Sequence, residues 1–173
     1  MPGETPLSSG IARVSPVVCE HDFSYWAGLN EAWCSDETII NVEHDMIYSD
    51  ELAQDLLDCP EPACMYPYKV FPTALQRYIY CATTDAPGDM KGDHPSDLRW
   101  VEGPADTWAA WASIGFAKLA PEVRIQPLDR MWWSWLEHCV NRVLDASGNH
   151  WHLHWSPEDL HLHDYEKIPD HLW

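Results

Sequence analysis

The chain has 173 residues, enough for one domain with a sizeable core and too few for two comfortable ones. Its 10 basic and 28 acidic residues give a formal charge of −18, which repels phosphate backbones and anionic lipid heads and so excludes extended nucleic acid and a membrane surface as partners. The hydrophobic fraction of 46% is ordinary for a globular protein, and no run approaches the roughly 20 apolar residues of a membrane-spanning helix.

Residues 1–12 hold Pro, Gly and Ser without a basic region and an apolar stretch behind it, which predicts a flexible N-terminal tail, a cytoplasmic protein and a single domain over residues 13–173. The run Pro16-Val-Val-Cys19 reads as a strand ending in Glu20-His21-Asp22. Tyr25, Trp26, Leu29 and Trp33 then fall at helical spacing, with Asp22 or Ser24 as a cap. Thr38-Ile-Ile-Asn-Val-Glu-His-Asp45 is a β-branched apolar run closed by a second E-H-D, hence a buried strand whose polar end holds two carboxylates. Alternation sends Glu43 and Asp45 to one side, where two oxygen donors suit Mg²⁺ or Mn²⁺ and, through it, a diphosphate; solvated acids at a strand end are the alternative. Strand, helix, strand predicts a right-handed crossover in a parallel sheet, with ligands beyond the carboxyl ends of the strands.

A second helix is signalled by Ser49 or Asp50 as cap, by Leu52, Ala53, Leu56 and Leu57 on one face, and by the stop at Cys59-Pro60. Proline-punctuated strands follow up to Cys81, and residues 83–104 form a long Asp/Gly/Pro-rich loop of the kind that often serves function. Trp108, Trp111, Ala112, Gly115, Phe116 and Leu119 fit a helical stripe, with Gly115-Phe-Ala-Lys-Leu119 as a strand in the alternative. Asp129 caps the clearest helix, apolar at Met131, Trp132, Trp135, Leu136, Cys139, Val140, Val143 and Leu144 and ended by Ser147-Gly148. In His150-Trp-His-Leu-His-Trp155 the imidazoles alternate with apolar residues, and His161 and His163 repeat the H-x-H spacing, which lets two imidazoles reach one metal. The six cysteines form no C-x-x-C pair and are expected to be buried thiols, with no zinc bound through sulfur.

Val42-Glu-His-Asp-Met46 after a Trp-containing helix, Cys59-Pro-Glu-Pro-Ala-Cys-Met-Tyr-Pro-Tyr68, residues 108–122 and the late H-x-H pairs together resemble small GT-A-type, family-2-like glycosyltransferases of the compact kind found in phages and large viruses. The resemblance implies an α/β fold, a single compact three-layer domain with a mostly parallel sheet and a truncated GT-A-like architecture. It further implies a metal-dependent glycosyltransferase that moves a sugar from a nucleotide-sugar donor to an acceptor hydroxyl on a protein, glycan or small molecule. Carried onto this chain, Asp45 matches the position that holds Mn²⁺ or Mg²⁺, with His152 and His154 completing the metal shell and His161 behind them. Glu43 matches the contact to ribose or sugar, Asp22 belongs to the donor pocket, and Glu137 matches the general base, although His138 stands where a second acid is usual. Trp100, Trp108 and Trp111 are candidate platforms for sugar or base, with core packing as the alternative. The chain departs from the family in reaching Glu43 after one strand and one helix. Two other readings compete: a metallohydrolase built on the histidine cluster, with a closed site that leaves out Asp45, and a non-catalytic transferase-like binding module.

Overall fold

A computed structural model describes residues 23–43, 45–72, 74–85, 97–130 and 133–161, with the backbone alone for residues 133–135. The expected strand at Pro16-Val-Val-Cys19, the first E-H-D with Asp22, and His44, Met131, Trp132 and His163 lie outside the described residues, as do residues 86–96 of the long loop.

Helix α1 (Ser24–Trp33) buries Leu29 and Trp33, one turn apart on its inner face. Its last carbonyls are taken by a side chain from elsewhere: the Arg124 guanidinium donates to Ala32 O at 2.8 Å, to Trp33 O at 3.0 Å and to Glu37 O. Strand β1 (Ile39–Val42) follows, then α2 (Asp50–Asp58), where the Ser49 hydroxyl accepts from Leu52 N at 3.3 Å and Asp50 and Glu51 meet the positive end of the helix dipole. Pro60 forces Cys59 into an extended backbone and ends α2 there. Strands β2 (Ala63–Met65), β3 (Lys69–Val70), β4 (Ile79–Tyr80) and β5 (Ala82–Thr83) come next, then β6 (Trp108–Ala109), β7 (Trp111–Ala112), β8 (Phe116–Leu119) and a 3-10 turn at Pro121–Val123. Helix α3 (Trp133–Ala146) ends before Gly148, whose φ of 75° is the left-handed conformation glycine supplies after a helix, and β9 (Trp151–Leu153) closes the described elements.

The main sheet has five strands in the order β1-β8-β2-β9-β6. β1 and β2 each pair antiparallel with β8, β6 pairs antiparallel with β9, and β2 with β9 is the parallel pair. Two small antiparallel ladders, β3-β4 and β5-β7, stand beside it. This overturns the expected three-layer α/β domain with a mostly parallel sheet: the sheet is mixed and mostly antiparallel, with three α-helices among the described residues. The physical reason lies in β8. Since β1 and β2 both run against it, they run parallel to one another as a strand-helix-strand crossover requires, but β8 occupies the place between them. Its Phe-Ala-Lys-Leu run is buried at all four positions, so this strand is covered on both faces.

The helical stripe expected over residues 106–119 is likewise replaced by β6, β7 and β8. Residues 112–120 are buried without a break, and an unbroken buried run fits a helical stripe and a strand covered on both faces alike; the strand alternative over Gly115-Phe-Ala-Lys-Leu119 is the one that holds, as β8. The core runs from Leu56 of α2 through Met65, Phe116 and Leu119 of the sheet to Leu136, Val140 and Leu144 of α3, with Trp151 fully buried. Asn141 of α3 stitches this core together. Its Oδ1 accepts from Ala112 N at 2.9 Å and from Trp151 Nε1 at 2.7 Å, and its Nδ2 donates to Ala112 O at 2.7 Å. Among the described residues no helix is long and apolar enough to cross a membrane.

Candidate functional site

The end of β1 and the middle of α3 meet around two carboxylates. Glu43 continues the β1-β8 ladder through its N–H, which donates to Gly115 O at 2.8 Å, and its Oε1 accepts from the Tyr25 hydroxyl of α1 at 2.9 Å. Asn41 steadies that tyrosine by donating to its oxygen at 3.0 Å. Glu137 reaches from α3 to the start of β8, where its Oε1 accepts from Ile114 N at 3.1 Å and from the Ser113 hydroxyl. Ser113 Oγ lies 2.6 Å from the Tyr68 hydroxyl, and the Tyr68 ring stacks on His161 with centroids 4.8 Å apart. His161 Nε2 in turn faces Asp45 Oδ2 at 3.3 Å.

Charge ties the pieces together. Burial, then the nearby Glu137, push the Glu43 carboxyl up to about 8, against the Tyr25 hydrogen bond, with Asp45 adding to the rise. Burial raises Glu137 as well, opposed by its bonds from Ser113 and Ile114. Burial and the same two carboxylates raise Tyr25. Glu43 and Glu137 both keep part of their surface accessible.

A second constellation lies across the sheet. Cys64 on β2 and His152 on β9 are register partners on the parallel pair, and His154, two residues further, points to the same side. The turn after α2 returns Cys59 to this place, with Cys64 Sγ 2.8 Å from Cys59 Sγ and His152 Nδ1 3.3 Å from Cys59 Sγ. One donor atom each from Cys59, Cys64, His152 and His154 lie within 4.8 Å of one another. Asp55, one helical turn before Cys59, accepts from the Tyr66 hydroxyl at 2.5 Å and meets His154 Nδ1 at 2.5 Å. Burial would raise the Asp55 carboxyl, but Tyr66 and His154 hold it below its ordinary value. The Cys64 thiol is pushed well up by burial and by its bond to Cys59.

Of the residues singled out in the sequence, the structure therefore brings Glu43, Asp45 and Glu137 into one charged neighbourhood, with His161 beside Asp45. It places His152 and His154 elsewhere, with two cysteines. Trp108 is exposed on β6 with its ring 4.8 Å from that of His152, and Trp111 lies half-buried on β7. Trp100 lines a cleft of about 610 Å³ together with Lys69, Arg77, Tyr78, Tyr80 and Arg99. Sequence reasoning missed Tyr25 and Ser113, whose roles depend on long-range pairing. It also set aside Cys59 and Cys64, although a C-x₄-C beside an H-x-H was a readable ligand pattern. Compared with known protein families, curated proteins and solved structures, the chain matches none.

Proposed function

We propose that the chain is a group-transfer enzyme of the glycosyltransferase kind, with Glu137 as general base and Glu43 as a hydrogen-bonding partner for a substrate hydroxyl. The observation that carries this reading is the convergence of Glu43, from the end of β1, with Glu137, from α3, in one hydrogen-bonded and charge-coupled network. Two carboxylates in unequal surroundings divide acid and base roles between them. Burial raises both carboxyls, but Glu137 accepts from two donors that favour its ionised form, whereas Glu43 has the Tyr25 bond alone and the charge of Glu137 beside it. In the reaction Glu137 takes the proton of the acceptor hydroxyl as its oxygen bonds to the anomeric carbon. The bond to the leaving phosphate oxygen breaks, its electron pair leaves with the diphosphate, and the proton passes from Glu137 to solvent.

A cleft lined by basic and aromatic side chains supports the donor class. It lies within the usual size of small-molecule sites and carries Lys69, Arg77 and Arg99 against Glu102 and Asp106, a local excess of basic residues in a strongly acidic chain, with Trp100, Tyr78 and Tyr80 as aromatic faces. Asp45, with His161 beside it, would hold the Mn²⁺ or Mg²⁺ of such a reaction, the carboxylate suiting a hard ion whose shell the donor's phosphates would complete. The ion would neutralise charge on the leaving diphosphate.

The test is release of nucleoside diphosphate from a panel of UDP-, GDP- and dTDP-sugars, with thermal shift as a binding readout. The expected outcome is a donor that stabilises both the native chain and Glu137→Gln but turns over only in the native chain. If no donor shifts the melting temperature of the native chain, the transferase reading fails.

A further inference from the structure

We infer that Cys59, Cys64, His152 and His154 form a tetrahedral zinc site that locks the parallel strand pair to the end of α2. The inference is independent of the transfer reading. It starts from donor chemistry: two thiols and two imidazoles are a set for a borderline-soft d¹⁰ ion, and not for Mg²⁺ or Mn²⁺. Around zinc, with bonds of about 2.3 Å to sulfur and about 2.0–2.1 Å to nitrogen, tetrahedral donors stand roughly 3.3–3.8 Å apart. The present separations of 2.8 Å for the two sulfurs and 3.3 Å for Cys59 Sγ and His152 Nδ1, all four atoms lying within 4.8 Å, bracket that range.

A second observation points to a ligand. His154 Nε2 is buried from solvent and has no hydrogen-bond partner among the described residues. Leaving such an atom unsatisfied is costly, and its other nitrogen is already engaged by Asp55. A carboxylate on Nδ1 leaves Nε2 as the nitrogen to ligate, the arrangement by which an outer carboxylate orients a metal-bound imidazole and raises its basicity. The Asp55 carboxylate is itself fixed by Tyr66, so the orientation runs back to β2. Buried Lys118 completes the electrostatics. It is the register partner of Cys64 on β8, and its Nζ donates to Cys59 O at 2.6 Å, which puts a positive charge beside the two sulfurs.

Zinc entry requires both thiolates, so two thiol protons leave to solvent as the ion binds and two S⁻ charges offset Zn²⁺. With four protein ligands no position stays open for water, and the site is structural. Its effect on the fold follows from what it joins. Cys59 belongs to the end of α2, Cys64 to β2, and the histidines to a strand that arrives some ninety residues later, so the ion closes a long loop and fixes which strand lies next to β2.

The experiment uses the full chain purified under reducing conditions without chelator. Elemental analysis is expected to find about one zinc per chain, and a strong zinc chelator is expected to lower the melting temperature. Replacement of the ion by Co²⁺ is expected to give intense visible bands of tetrahedral geometry and a near-ultraviolet thiolate charge-transfer band, the latter weakened in Cys64→Ser. Should that variant fail to fold, Asp55→Asn retains all four ligands and is expected to bind zinc about 10–100-fold more weakly in competition with a chromophoric chelator. Three results would overturn the inference: a chain that binds no zinc, a zinc affinity equal in Asp55→Asn and the native protein, or a Cys59–Cys64 disulfide in the freshly purified chain.

Discussion

The Tyr25 hydroxyl on α1 donates to Glu43 Oε1 at the end of β1 at 2.9 Å, and this bond is too little to keep the carboxyl ionised at neutral pH. With Glu43 held from 4.5 up to about 8 by burial first and Glu137 second, the folded chain keeps a proton that the unfolded chain releases above about pH 4.5. The stabilisation from this group is therefore complete below the unfolded value and is lost as pH rises towards 8. In metal-free buffer the melting temperature of the native chain should fall between pH 5 and pH 8, and that of Glu43→Gln should fall less. Parallel curves for the two proteins would remove Glu43 from this role.

Asn141 is the polar hinge pin between α3, β7 and β9. Asn141→Ala leaves the Ala112 N–H and the Trp151 indole N–H buried without acceptors, and each such group costs about 1–3 kcal/mol. Urea unfolding is expected to show a loss of a few kcal/mol with an unchanged slope. A loss below about 0.5 kcal/mol, the range of an ordinary surface change, would contradict the assignment.

The end of α1 depends on a fork that lysine does not have. Arg124→Lys keeps the charge but cannot reach Ala32 O, Trp33 O and Glu37 O together, so Trp33 O in the last turn of α1 loses its donor, while Ala32 O keeps those from Ser35. Hydrogen exchange is expected to accelerate in that turn while amides of β8 stay protected. Uniform acceleration throughout the chain would mean that Arg124 acts on global stability instead.

Gly115 is required by proximity, because a Cβ there would stand 2.8 Å from Tyr68 Cε1 and 2.9 Å from its oxygen. Gly115→Ala is expected to cost about 1–3 kcal/mol by overpacking and to displace the Tyr68 hydroxyl from Ser113. Pairing it with Tyr68→Leu, which removes the obstructing ring, should recover part of that loss. An additive double variant would show that the strain lies elsewhere.

Local structure was legible where the chain states it locally. Ser49 before an acidic first turn, Cys59-Pro60 as a stop, and Ser147-Gly148 after an apolar stripe placed α2 and the end of α3 close to where they stand. The sheet was not legible, because nothing in Thr38-Ile-Ile-Asn-Val or Ala63-Cys-Met65 reveals that a later run will insert between them. The candidate site divides in the same way. Glu43 and Asp45 stood out as acids at a strand end, and Glu137 came from a resemblance, whereas Tyr25 and Ser113 owe their places to pairings many residues distant. His152 and His154 were readable as a pair on one strand face, but their partners arrive through a register that the spacing of the histidines does not encode.

The central position of β8 also bears on how the chain is made. Synthesis proceeds at about 5–20 residues per second from the N-terminus, and β1 and β2 are complete at residues 42 and 65, well before β8, the strand that both pair with, begins at residue 116. Until residues 116–119 leave the ribosome, both strands present open edges, and β2 waits longer still for β9. Nascent chains halted before residue 116 should therefore be protease-sensitive and prone to associate through those edges, and protection should appear abruptly once β8 and then β9 emerge.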